Sequence, residues 1–471
     1  MCNFRNGFRI FRKGLQKKNM NIQITGASGS GKTFLGKTLS KILNCHFIDT
    51  DDILWVWKDN VQPYTITVSD EQACEILKNE LINNKSTIAS GMFYPWSEPL
   101  IDKFDLLIII ETSDELRRKR IIDREYEMYG DRFKKGGDMY EQFNSYLEWA
   151  MNYNYSNDKL GCKKETENWA KKFNCEILYL TMPNALKGIQ YLYEHPEARA
   201  EDLMNAFKDK KIKAIFTMIG GDDSIRIIPY VDNEIIKNNP KIFIGYSDTT
   251  VTHMLMYKNG ITSYYGPSLL SEIAENGSMH KYTQKYLESV LFSNDNLIIE
   301  SSQEWTNDRI DWTDQTKDND FRKMVKESHG YEVLNGSGVF QGKLLGGCLD
   351  VMNMIIGTII WPDVNEWENK ILFIETSEVK PSPNDVLYFF RHLIALGIIS
   401  KLNGIIIGKP KGEVYYEEYK KVILKLIKEQ NLTLPILYNV NFGHTAPMCI
   451  IPYGLNAVVN LDEKKIIIES E

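Results

Sequence analysis

Residues 241–253 read KIFIGYSDTTVTH. Lys241 to Ile244 is a short β-branched and aromatic run, the pattern of a buried strand. Gly245-Tyr246-Ser247-Asp248 supplies a turn, and from Thr249 onward Val251, Met254 and Leu255 recur at helical spacing. Ser247 therefore stands between a strand end and a helix start. A sharp turn of this kind exposes a hydroxyl as a nucleophile, beside the N–H groups and positive dipole end of the helix. The same pattern also arises where Ser247 or Asp248 only caps the helix.

Working outward, other strand ends carry polar residues. Lys213 to Ile219 reads as a strand running into Gly220-Gly221-Asp222-Asp223-Ser224, where two glycines permit close backbone approach to a ligand or make a plain tight turn. Lys370 to Ile374 ends in Glu375-Thr376-Ser377-Glu378, Ile405 to Ile407 in Gly408-Lys409-Pro410, and Pro435 to Val440 in Asn441-Phe442-Gly443-His444. Ser247, Glu375 and His444 thus follow the carboxyl ends of expected strands, where open α/β sheets bind ligands. Serine, acid, histidine is one chain order of a nucleophile, its orienting acid and its base. Trp305 and Trp312 lie in polar company between Ser301 and Asp314, placed to stack on a ligand ring or to pack a loop down.

The segments IGGDDSIRIIPYVD, IFIGYSDTTVTH, YYGPSLLSEIAENG, GKLLGGCLDVM, ILFIETSEVKPSP, GIIIGKP and NVNFGHTAPMCIIPYG run in order from about residue 190 to 471. This region resembles the LD-carboxypeptidase family of serine peptidases, most of all its microcin C self-immunity branch. The resemblance implies a two-part α/β domain, with a nucleophile part at 187–335 and a part carrying Glu and His at 336–471. It implies a metal-free serine carboxypeptidase or amidohydrolase acting on a small aminoacyl-nucleotide or peptide conjugate. Ser247 would be the nucleophile, His444 the base and Glu375 its orienter, with Glu378 the alternative acid. The backbone N–H groups of Gly221 and Asp248 would hold the oxyanion. Trp312, or else Trp305, would stack on a nucleobase, and Glu378 and Lys409 would touch substrate. Family members begin with strands that this chain lacks upstream of Ala198, so the sheet beneath the GGDDS turn is expected to be short of neighbours. The family tends to form homodimers.

The chain before this region carries a second motif. Ile22 to Thr25 reads as a strand, followed by Gly26-Ala27-Ser28-Gly29-Ser30-Gly31-Lys32-Thr33, a full G-x-x-x-x-G-K-[ST], and then a helix from Phe34 to Leu43. Such a loop wraps backbone N–H groups around phosphate oxygens, its lysine reaches the terminal phosphates, and Thr33 would ligate Mg²⁺. Asp49 and Asp51, in the strand end FIDTDD, suit a Mg²⁺ contact, although Asp51 or Asp52 could simply cap a helix. Strands are expected at Ser86–Ser90 and Asp105–Glu111. Arg117 and Arg120, in the row RRKRIIDRE, could close over phosphates or face solvent. Residues 20 to about 183 resemble the small P-loop kinases of the adenylate and shikimate kinase type. That implies a domain over 20–186 with a parallel sheet covered by helices on both faces, binding ATP and Mg²⁺.

Composition sets bounds on both. A chain of 471 residues exceeds one ordinary domain. A net charge of −7 speaks against a general nucleic-acid binder. The 7 cysteines are scattered without a C-x-x-C pair, which fits reduced thiols in a cytoplasm rather than a disulfide scaffold or zinc site. No apolar run is long enough to span a membrane. Residues 1–19 are basic, carry no acid and lack the apolar core of a secretion signal, so they read as a disordered tail or a targeting peptide.

Overall fold

A computed structural model describes residues 20–43, 45–56, 66–157, 161–181, 189–210, 212–311, 317 and 320–470. The chain divides into two units, Met1–Asp202 and Leu203–Glu471, so the division falls inside the helix Pro196–Lys208 rather than near residue 186.

In the first unit, β1 (Asn21–Gly26), β2 (His46–Asp49), β3 (Thr87–Ser90), β4 (Leu106–Glu111) and β5 (Glu176–Thr181) form an all-parallel sheet in the order β2-β3-β1-β4-β5. The run LLIIIE of β4 is buried up to its last residue, as a parallel strand covered on both faces must be. β1 ends at Gly26, and the loop after it opens the helix Lys32–Leu43.

The second unit holds two main sheets. β6 (Ala214–Phe216), β7 (Ile242–Gly245) and β8 (Tyr264–Tyr265) belong to the smaller. β9 (Leu297–Ile299) is followed by a two-stranded pair, β10 (Glu304–Trp305) and β11 (Val325–Lys326). The larger sheet is built on β12 (Glu332–Asn335), β13 (Val339–Cys348), β14 (Lys370–Glu375), β15 (Gly404–Gly408) and β16 (Ile436–Val440). β17 (Ile451–Pro452), β18 (Asn456–Asn460) and β19 (Lys465–Ile468) complete the chain. The strand orders are β17-β8-β7-β6 and β12-β16-β15-β14-β13-β18-β19-β9.

The sequence division at 335/336 does not separate the two sheets. β17 crosses back to flank β8, and β9 crosses forward to flank β19. Each part therefore completes the other's sheet by one strand. The strand expected over Lys213–Ile219 is confined to Ala214–Phe216; it is only half-buried and forms the edge, pairing with β7 alone among the described residues.

The pattern of side chains explains the larger sheet. β14, β15 and β16 (KILFIE, GIIIG, ILYNV) are parallel and buried almost throughout, whereas β18 and β19 alternate buried and half-buried residues in an antiparallel edge. The helix Pro383–Ala395 buries Val386, Leu387, Phe389, Phe390 and Leu393, and Tyr416–Glu429 buries Tyr416, Tyr419, Ile423 and Leu426, each one stripe at helical spacing. Phe373 of β14, two residues before Glu375, meets Tyr265, Phe442 and Tyr453, with ring centroids 4.9–5.9 Å away. Among the described residues, no helix is long and apolar enough to cross a membrane.

Candidate active site

The turn after β7 is strained. Tyr246 is extended at φ −145°, and Ser247 is left-handed at φ +64°. A side chain in that region costs on the order of 1–3 kcal/mol, so the surroundings must impose it. Tyr265 Oη accepts the Ser247 N–H at 2.9 Å, Thr250 Oγ1 donates to Ser247 O at 2.8 Å, and Thr249 Oγ1 donates to Tyr246 O at 2.8 Å. Neither Ser247 nor Asp248 caps the helix Thr250–Lys258 with its side chain. The buried Asp248 carboxylate turns instead to the Ser224 N–H (2.9 Å) and Oγ (2.5 Å), tying the GGDDS turn to the serine turn. A Cβ on Gly220 would lie 3.0 Å from Ser247 Oγ, so a side chain there would crowd the hydroxyl. The backbone of Gly220 and Gly221 thus runs beside Ser247 and Asp248.

His444 arrives from the loop after β16. Gly443 has φ +93°, and a Cβ there would sit 2.5 Å from Glu375 Oε2, so the chain can bring the imidazole against the acid only through a glycine. His444 Nε2 lies 2.9 Å from Ser247 Oγ and Nδ1 lies 2.8 Å from Glu375 Oε2. Glu375, at the end of β14, is fully buried, and its other oxygen accepts the Tyr265 hydroxyl at 2.6 Å. The Tyr246 ring meets the imidazole edge-to-face at 5.1 Å. Burial opposes a charged imidazole here, but the carboxylates of Glu375 and Glu378 outweigh it and raise the His444 pKa to about 10.

Glu378 does not take the place of Glu375 behind the ring. Its Oε2 lies 2.7 Å from His444 Nε2, the nitrogen that faces Ser247. The hydrogen bond from His444 holds the Glu378 carboxyl down at about 2, against its partial burial. Arg309 adds its field to Glu378, and Lys411 lies within the fields of Arg309, Arg322, Glu272 and Glu378. Tyr265, which has no role legible in the sequence, joins the Ser247 backbone to Glu375. Its only mark there is the Tyr-Tyr-Gly-Pro that follows the serine turn by one helix.

Two residues expected to contact substrate, Lys409 and Trp305, lie buried. Lys409 is fully buried, with Nζ 3.0 Å from Glu327 Oε2, 2.6 Å from Glu413 Oε1 and 3.3 Å from Asn439 Oδ1. An ammonium has three donors, and these acceptors occupy them. The same Nζ lies 4.5 Å from the Trp305 ring centroid, so buried Trp305 packs one face on a cation. Trp312 lies outside the described residues.

In the first unit, Lys32 Nζ donates to Ala27 O at 2.9 Å, and Thr33 Oγ1 donates to Asp49 Oδ2 at 2.7 Å. Burial lowers the Lys32 pKa to about 8, despite Asp51 and Asp49 nearby. Ser30 Oγ is buried without a partner among the described residues. The cap of the helix Thr50–Leu54 is Asp49, which accepts the Asp51 N–H at 3.1 Å; Asp51 and Asp52 lie exposed in its first turn. Arg117 does not form a lid. The 3.6-residue repeat of Asp114–Tyr129 puts it on the buried face with Ile121 and Glu125. There it donates to Ser28 O at 2.9 Å, to Asp114 at 2.7 Å and to Ala150 O. Arg120 Nη1 reaches Ser30 O at 3.3 Å. Gly26, Gly29 and Gly31 all carry positive φ.

A hydroxyl, an imidazole and a carboxylate in this order of contact, on a strained strand-to-helix turn, belong to the serine hydrolase class. The LD-carboxypeptidase N-terminal domain matches residues 156–266 and the LD-carboxypeptidase C-terminal domain matches 341–459. The chain belongs to the LD-carboxypeptidase family. The first match reaches back to 156, upstream of the motifs that begin near 190. The putative carboxypeptidase YocD of Bacillus subtilis is 34% identical over 268 residues, which span 55% of this chain and 76% of YocD. An MccF-like protein from Streptococcus pneumoniae, solved in complex with AMP, is 35% identical, with a TM-score of 0.58 over 62% of this chain and 89% of that one. MccF in complex with glutamyl sulfamoyl guanosine is 25% identical, with a TM-score of 0.52 over 65% of this chain and 89% of that one.

Proposed function

We propose that Leu203–Glu471 is a serine amidohydrolase that cleaves an amide bond in a small aminoacyl-nucleotide or peptide conjugate. The observation that carries this reading is His444, within hydrogen-bond reach of both Ser247 Oγ and Glu375. Ser247 Oγ attacks the carbonyl carbon while its proton passes to His444 Nε2. Glu375 steadies the imidazolium through Nδ1. The N–H groups of Gly221 and Asp248 hold the developing oxyanion. The C–N bond then breaks, the amine leaves with the proton from Nε2, and water repeats the sequence to free the acid and Ser247. The AMP and glutamyl sulfamoyl guanosine complexes of the MccF-like relatives support a nucleotide conjugate as substrate. The described cysteines are free thiols, which suits a reducing cytoplasm.

The test offers the full chain an aminoacyl-sulfamoyl-adenosine and a muropeptide with an LD bond, following amine release, with Ser247→Ala alongside. Release by wild type alone supports the reading. Silence on both substrates from folded protein counts against it.

A second reading concerns the first unit, as an ATP-binding, kinase-like domain. The partnerless Ser30 Oγ, inside a glycine-rich loop that opens a helix, favours it. Its loop N–H groups and Lys32 would hold the phosphates, with Arg120 at the rim. Thr33 and Asp49, with Asp51 nearby, would hold Mg²⁺, which would offset phosphate charge. Binding of a fluorescent ATP analogue with Mg²⁺, lost in Lys32→Ala, tests this apart from any turnover.

A further inference from the structure

We propose that Glu378 caps the base of the free enzyme, and that its departure from His444 arms Ser247. The inference rests on the amidohydrolase reading above.

His444 Nε2 faces two groups at once, Glu378 Oε2 at 2.7 Å and Ser247 Oγ at 2.9 Å. Nδ1 already faces Glu375. An imidazole nitrogen carries either one lone pair or one hydrogen. Opposite a carboxylate, Nε2 must carry the hydrogen. It then has no lone pair with which to take the proton of Ser247. The contact that makes His444 a good ion-pair partner therefore prevents it from acting as a base.

The other groups around the ring do not do this. Glu375 and the Tyr265 hydroxyl lie behind it, on the Nδ1 side, and Tyr246 meets it edge-on with its hydroxyl bonded to Glu272. Among the described residues, Glu378 alone opposes Ser247 for Nε2.

Glu378 is also built to leave. Its side chain is half-exposed. The backbone beside it is anchored, with the Ser377 N–H on Asp350 Oδ2 at 3.2 Å and the Lys380 N–H on Ser377 O at 3.1 Å, so a rotation of the side chain suffices. Two cations lie within its electrostatic reach. Arg309 and Lys411 both exert their fields on it, and Lys411 is nearly buried with no hydrogen-bond or ion-pair partner among the described residues. When Glu378 swings toward these cations, the Nε2 proton passes to solvent. No bond other than that N–H breaks.

Reaction of Ser247 with a fluorophosphonate probe measures this without the natural substrate, since Oγ–P forms, fluoride leaves and the Oγ proton goes to His444. Wild type, Glu378→Gln and Glu378→Asp would be followed between about pH 5 and 9, with Ser247→Ala as the blank. Each unit by which the imidazolium pKa falls multiplies the neutral fraction about tenfold. Glu378→Gln should therefore react roughly tenfold or more faster than wild type near neutral pH, with its acid limb moved to lower pH. Glu378→Asp should restore a profile close to wild type. Coincident profiles for wild type and Glu378→Gln, or a slower Glu378→Gln, would overturn the cap and leave the nucleophile reading intact. Failure of both to react at any pH would overturn both readings.

Discussion

Tyr265 Oη donates to Glu375 Oε1 at 2.6 Å, from a ring with no exposed surface. The same oxygen accepts the Ser247 N–H at 2.9 Å. One phenol thus bonds both the carboxylate behind His444 and the turn that carries Ser247. Tyr265→Phe removes a donor from a buried carboxylate and an acceptor from a buried amide. It should cost about 1–3 kcal/mol of stability, because an unsatisfied buried polar group costs that much. Since the phenol is fully buried and bonded to Glu375 and the Ser247 N–H, turnover should fall about tenfold or more while KM stays near wild type. Denaturant unfolding and steady-state hydrolysis would check both, and a change confined to KM would count against a positioning role.

That Ser247, Glu375 and His444 follow strand ends was legible because each comes after a largely apolar run. IFI, ILFI and ILY announce buried strands, and their carboxyl ends are fixed by where the run stops. What could not be read were contacts that depend on register across sheets. Lys409 also follows a strand end, yet it points into a nest of Glu327, Glu413 and Asn439 drawn from three separate segments. Nothing local distinguishes such a lysine from one that meets a ligand. Tyr265 was hidden in the same way, since its partner Glu375 lies 110 residues away. β17 and β9 were invisible as exchanged strands because each is only two or three residues long.

The left-handed backbone at Ser247 predicts an asymmetry between two inactivating substitutions. Ser247→Ala and Ser247→Gly both remove the hydroxyl and should abolish hydrolysis. Alanine retains the cost of a side chain at φ +64°, whereas glycine relieves it. Ser247→Gly should therefore be more stable than Ser247→Ala by about 1 kcal/mol. Thermal unfolding of the two variants checks this, and a less stable glycine variant would mean that the turn is not strained at this residue.

The charge on His444 gives a pH dependence of stability with a definite sign. Its pKa is raised from 6.5 to about 10 in the folded chain, so the folded state holds its proton more tightly than the unfolded state does. The stabilisation is complete below about pH 6.5 and is lost as pH rises through about 10. Wild type should lose stability across that window more steeply than His444→Gln. Glu378 acts in the opposite direction. Its pKa is lowered to about 2, so its contribution is present above the ordinary carboxylate range, near 4.5, and is lost as pH falls toward 2. Denaturant midpoints at stepped pH would show both slopes, and parallel curves for wild type and His444→Gln would rule out the raised pKa.

Lys409 offers the sharpest separation between a structural and a substrate-binding role. Its ammonium is fully buried between Glu327 and Glu413 and covers the face of Trp305. Removing one partner of such a network leaves the other charges buried and unpaired, which typically costs about 3–5 kcal/mol. Lys409→Met should destabilise the second unit by about that amount. Adding Glu327→Gln and Glu413→Gln should recover part of the loss, because the stranded charges then disappear. Hydrolysis per folded molecule should stay within a few-fold of wild type, with KM little changed. A large rise in KM in Lys409→Met, at temperatures where the protein remains folded, would instead return this lysine to the substrate.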